Sequence, residues 1–218
     1  MGHDDVRAAV RPLRWIFWGG LLCVIDVHYS TVTDGRGWRF DVLNDVVGMA
    51  LILAGLVRLL AVRVHDRYAT VLRVCIAVAV LELLDAVREH VIQPWPESVR
   101  VAVAVLQLLA FASTALFCVA MRWMCDAHGL PEASRSWRTT LLLFLVVWLI
   151  PLGGVQIAVL VAMATGSPWQ MDLGSAVALF VLLVLVMLVP LVHFFVSTSR
   201  TARAAEGAVP AMPDPDVA

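Results

Sequence analysis

The chain has 218 residues, 61% of them hydrophobic and 15% charged, with a formal net charge of −1 and a mean hydropathy of +0.87. Soluble globular domains carry roughly half apolar and about a quarter charged residues, so the composition argues against that class and points to a polytopic membrane protein. Nucleic acid is excluded as a partner, because such binding needs a basic face and this near-neutral chain offers none.

In chain order, residues 1–12 carry Asp4, Asp5, Arg7 and Arg11 and read as a short cytoplasmic lead. Arg7, Arg11 and Arg14 before the apolar run Trp15 to Ile25 have the outline of a secretion signal. The following Asp26 to Ser30 lacks the small-x-small cleavage pattern, so the run reads as an uncleaved first helix. Val6 stands where a myristoylation signal needs Ser or Thr. A spanning helix needs about 20 mostly apolar residues. Six segments qualify: 13–30, 41–62, 69–91, 99–121, 138–163 and 173–197. The expected fold is therefore all-α, a six-helix membrane bundle forming one transmembrane domain over 1–198. Turn-formers at Asp34 to Gly37, Gln93 to Pro96, His128 to Pro131 and Gly166 to Pro168 mark the loops. Residues 199–218, rich in Ala and Pro, read as a disordered cytoplasmic tail.

Arginine placement sets the orientation. Twelve arginines (7, 11, 14, 58, 63, 67, 73, 122, 135, 138, 200 and 203) fall on one side and only Arg36, Arg39, Arg88 and Arg100 on the other. Positive residues favour the cytoplasm, which puts both termini inside. All basic residues are Arg and none is Lys, a usage we read as a GC-rich bacterial genome, and hence a multi-pass protein of the bacterial inner membrane. Trp38, Trp95 and Trp169 fall at the outer boundary and Trp15, Trp123 and Trp137 at the inner one, as interfacial belts predict. None of the four cysteines falls in an outer loop, and no Cys/His metal spacing occurs.

Acids gather at the outer ends of the first three helices. Positions three, four and seven apart share a helix face. That places Gly19, Cys23, Asp26 and Ser30 on one stripe, and Asp41, Asp45, Gly48, Ile52 and Gly55 on a second. A third holds Cys75, Val78, Glu82, Asp85 and Glu89, with His90 on its flank. Gly19, Gly48 and Gly55 are expected contact points, since small residues let membrane helices approach closely. Facing stripes would bring Asp26, Asp41, Asp45, Glu82, Asp85 and Glu89 together with His28 and His90 nearby. So many carboxylates need protons, Arg88 or a bound cation to compensate them. Hard oxygen ligands suit a divalent cation such as Ca²⁺, Mg²⁺ or Mn²⁺, and the histidines extend the choice to Zn²⁺ or Fe²⁺. Bis-histidine haem would need His28 and His90, both of which lie near the water boundary.

The segment Phe40 to Leu56 resembles a stretch found in small, uncharacterised bacterial integral membrane proteins. Its pattern there is acid, two aliphatics, Pro, Asp, two aliphatics, Gly, an aromatic, then an apolar run with a second Gly. Asp41, Asp45, Gly48 and Gly55 match it, while Asn44 replaces the proline and Met49 the aromatic. The resemblance implies that Asp41 and Asp45 belong to a recurring structural unit and brings no activity with it.

In the second half, Gln107, Thr114 and Cys118 form a mild polar stripe suited to helix packing, and Pro151 to Gly154 interrupts the fifth helix as a kink or a break. His193, alone near the inner end of the sixth helix, reads as a hydrogen-bonded residue. No GxSxG, P-loop or dinucleotide fingerprint is present, and Ser and Thr are sparse in the helices. The resulting expectation is an outer-side carboxylate and histidine pocket that binds a cation or relays protons through Glu82 or Asp85. It would sit in a small transporter, or in a subunit that associates with partner membrane subunits or with copies of itself. Two further expectations are a metal-dependent membrane enzyme acting on a lipid-borne substrate, with His90 among the ligands, and a purely structural assembly subunit.

Overall fold

The computed structural model describes residues 3–24, 28–33, 36–41, 45–91, 97–165 and 177–207. For the strands and for Glu89 and His90 it describes the backbone course alone. The elements are α1 (His3–Val24), β1 (His28–Thr33), β2 (Arg36–Asp41), α2 (Asp45–Leu59), α3 (Asp66–Val91), α4 (Glu97–Ala127), α5 (Pro131–Leu143), α6 (Ile150–Thr165) and α7 (Val177–Gly207). A π-helical turn, Phe144–Leu149, joins α5 to α6 without a break. The packed body is thus all-helical, as the sequence indicates. Its rods close a ring: α1 packs on α2, α2 on α3, α3 on α4, α4 on α5 and α6, α5 on α7, and α7 back on α1.

Glycine makes the α1/α2 contact. A methyl group added at Gly48 would lie 2.8 Å from the Gly19 carbonyl oxygen and 2.5 Å from the Cys23 sulfur. One added at Gly55 would meet the Pro12 carbonyl oxygen at 2.8 Å. The two backbones touch with no side chain between them, as the small-residue stripes require. The α4–α5 turn is equally readable. Gly129 adopts φ +69°, its N–H donates to Asp126 O at 3.2 Å, and the Leu130 N–H donates to Cys125 O at 2.9 Å. This is a Schellman termination, and Pro131 begins the next helix where its missing N–H costs nothing.

The core lies toward the arginine-rich end. Trp137, Tyr68, Leu13, Leu72, Met121 and Met124 are fully buried there. Phe194 of α7 sits among Trp137 (ring centroids 5.2 Å apart), Phe117 (5.9 Å), Phe17 (6.1 Å) and Phe144 (6.4 Å). The Tyr68 hydroxyl donates to Leu59 O at 3.1 Å and so locks the α2–α3 turn.

Several expectations are corrected. The N-terminal lead is helical from His3, because Val6, Ala9 and Leu13 recur on one face and are buried. At the other end the tail does not begin at 199. Helix α7 runs on to Gly207, since Thr201, Ala202 and Ala205 continue its buried stripe; residues 208–218 lie outside the described ones. Trp137 is not a belt residue but a core one. Helices one and two are shorter than expected at their outer ends, where an antiparallel hairpin stands instead, pairing His28 with Asp41 through to Thr33 with Arg36. Ser30 and Asp41 therefore leave their helical stripes. Pro151 does not break its helix: the Ile150 N–H reaches back five residues to Leu145 O, so the widened turn absorbs the proline's missing donor.

Among the described residues, the stretches Val101–Ala127 and Pro131–Thr165 are long and apolar enough to cross a membrane, with mean hydropathies of 2.2 and 2.4.

Candidate functional site

The ring of rods does not close onto itself everywhere. Between the middle stretches of α1, α2, α3 and α4, and bordered by the aromatic cluster, lies a cavity of about 230 Å³. Its walls are apolar, with Ile52 and Leu56 from α2, Val78 and Ala79 from α3, Ala110 and Phe117 from α4, and Trp148 from the π turn. The polar groups in the wall are largely committed. The Cys75 thiol donates to Ser113 O at 3.5 Å, the Cys23 thiol to Asp45 O at 3.9 Å, and the Thr114 hydroxyl to Ala110 O at 3.0 Å.

Glu82 is the exception. It is the only charged side chain among the described residues that line the cavity. Its Oε1 is buried and has no hydrogen-bond partner among them. A buried carboxylate oxygen left without a donor is costly, so a structure that keeps one either fills the position from outside the chain or holds a proton there.

The other acids serve different ends. Asp45 sits in the first turn of α2, where a negative charge meets the positive end of the helix dipole. Asp85 faces a groove between α3 and α4, where Arg88 reaches its Oδ1 through Nη2 at 2.5 Å and Nε at 2.8 Å. Glu82 and Asp85 thus line different openings, though they stay near enough for the charge of one to act on the other. Residues three apart differ by about 60° around a helix, enough for one to face the ring interior and the other the α3/α4 seam.

Of the remaining expected ligands, His28 and Asp41 stand opposite one another at the base of the hairpin. Glu89 and His90 are on the last turns of α3, and Asp26 lies outside the described residues. Among the described residues no three His, Cys, Asp or Glu come close enough to hold a metal ion.

A polar network that the sequence reading passed over joins α5 to α7. The Thr140 hydroxyl lies 2.7 Å from the Ser197 hydroxyl and 2.9 Å from His193 Nδ1, and Ser136 Oγ lies 2.7 Å from Ser197 Oγ. Trp137 Nε1 donates to Thr201 Oγ1 at 3.0 Å. Thr140, Ser197 and Thr201 are 0% exposed, so no substrate reaches a nucleophile there and the network serves as a clamp between helices. Its signal was present in the spacing, with Ser136 and Thr140 four apart and His193, Ser197 and Thr201 four apart in turn.

Comparison with known protein families, with curated proteins and with solved structures finds no match for this chain.

Proposed function

We propose that the chain is a multi-pass integral membrane protein of the bacterial inner membrane whose cavity carboxylate, Glu82, binds a cation or relays a proton. Six rods would span, with the start of α1 and the end of α7 on the cytoplasmic side. Two facts support the bilayer as surroundings. Only 17% and 11% of the most apolar windows in α4 and in α5–α6 are buried against other helices, whereas the core helix of a soluble protein is mostly covered. Leu142, Val146, Ile150, Ile157 and Val161 all point outward, Ile150 with 68% of its surface free. Arg7, Arg11, Arg58, Arg63, Arg67, Arg122, Arg135, Arg200 and Arg203 flank the well-packed end, which fits the cytoplasmic face.

The observation that carries the functional reading is Glu82 itself, an acid in the wall of an otherwise apolar chamber. An ionisable residue in such a place marks an ion or proton path more often than it serves packing. Dicyclohexylcarbodiimide, which attacks protonated carboxyl groups in apolar surroundings, tests it. Mass spectrometry of the detergent-purified protein is expected to find the label on Glu82, with yield falling as pH rises, and none on the Glu82→Gln variant. Absence of label on Glu82 at every pH refutes the reading.

A further inference from the structure

We infer that the cavity is a binding site for a lipophilic monocation: one positive charge set against Glu82, carried on an apolar body that extends toward Phe117, Phe144 and Phe194. The inference rests on Glu82 being a cation-binding group and names what that cation is.

Size comes first. A dry apolar cavity of about 150 Å³ accepts benzene. About 230 Å³ therefore accommodates a ring with a small substituent, on the order of ten non-hydrogen atoms. The walls choose among occupants of that size. Ca²⁺ and Mg²⁺ take about six or more oxygen ligands and Zn²⁺ about four from His, Cys or carboxylate, and among the described residues no three such side chains come close enough to hold a metal ion. Here one carboxylate faces the space, while the Thr114 hydroxyl and the Cys23 and Cys75 thiols already donate to backbone carbonyls. A hydrated inorganic ion would have to shed water against Val78, Ala79 and Ile52, which return nothing. An anion would meet Glu82. A neutral hydrocarbon would suit the walls but leave the buried Oε1 without a partner. A weakly hydrated organic cation meets both demands, since its charge pairs with the carboxylate and its body buries apolar area against rings that favour it.

Gly20 gives the site a removable wall. It lines the cavity, and a side chain added there would enter open space, with no atom within 4 Å of the new Cβ. Gly20→Leu is therefore expected to fill the chamber without disturbing the helix contacts.

The probe is phenyltrimethylammonium, compared with tert-butylbenzene, its uncharged isostere, by titration calorimetry on the detergent-purified protein. The expected result has four parts. The cation binds wild type, and its affinity falls at least tenfold in Glu82→Gln. The isostere binds wild type at least tenfold more weakly than the cation does. In Glu82→Gln the isostere binds no more weakly than in wild type, which shows that the chamber is still formed. Gly20→Leu loses both ligands.

Equal affinity of the cation for wild type and Glu82→Gln overturns the inference, as does an isostere that binds wild type as tightly as the cation. If carbodiimide still labels Glu82 in a pH-dependent way but phenyltrimethylammonium neither binds nor protects it, the site takes a proton or an inorganic cation. The lipophilic-cation inference then fails while the reading of Glu82 stands. If Glu82 is never labelled, both fail.

Discussion

At the arginine-rich end Trp137, Met121, Met124 and Thr201 are withdrawn from solvent, and Ser136, Thr140, Ser197 and His193 satisfy one another. A few turns along the same rods, the walls part around a cavity of about 230 Å³ and leave a carboxylate oxygen without a donor. One end is packed for stability and the other is held open by it.

The contrast predicts that mutations at the two ends differ in cost. Trp137→Ala should do the most damage, roughly 3–5 kcal/mol, because it removes the indole packed on Phe117 and Phe194 and its N–H bond to Thr201. Reversible unfolding in mixed micelles would report it. Gly48→Ala comes next at about 1–3 kcal/mol, since its methyl group must push against the Gly19 carbonyl and Cys23. Thr140→Val, nearly isosteric, should cost about 1–3 kcal/mol by leaving Ser197 and His193 short of a partner, and the same unfolding assay measures it.

Tyr68→Phe should cost about 1 kcal/mol through loss of the bond to Leu59 O. Tyr68 precedes the third expected span, and burial, reinforced by nearby Cys125, pushes its phenol above the usual value. The folded state therefore holds this proton more tightly than the unfolded chain does. Its contribution is fully present below about pH 10 and declines as pH rises past that point. An unfolding series from pH 9 to 11 should show a steeper decline in wild type than in Tyr68→Phe.

Glu82→Gln should show the smallest change of all, near zero or slightly stabilising, because it replaces an unpartnered carboxylate with a neutral amide. A loss as large as that of Trp137→Ala would show the two ends to be equally structural and remove the contrast.

How much of this the sequence disclosed follows the same division. Wherever a local rule acts, it was legible: the Gly-Leu-Pro termination at Gly129, the Gly19/Gly48/Gly55 contact and the number of helical rods. The hairpin was missed although Asp34-Gly35, between Thr33 and Arg36, is a strong two-residue turn signal. Length overrode it, because the apolar runs on either side extend easily as helix. The site was half legible. Glu82 stands out in any reading of α3, but its separation from Asp85 depends on where α4 lies, and no spacing within α3 carries that information. The α5/α7 clamp is not legible, because four-residue intervals on two helices distant in sequence mean something only once the helices are known to meet.

The widened turn at Phe144–Leu149 has a geometric corollary. A π turn carries one residue more than the α turn it replaces, so everything after it is rotated by about 100° relative to an uninterrupted helix. That offset lets Trp137 and Thr140 point into the bundle before it while Gly153 and Gln156 point at α4 after it, where the Gln156 amide donates to Gln107. The rod works as two differently keyed halves on one axis. Deleting a single residue from 144–149 would leave its length almost intact and turn one of the two keys out of its lock.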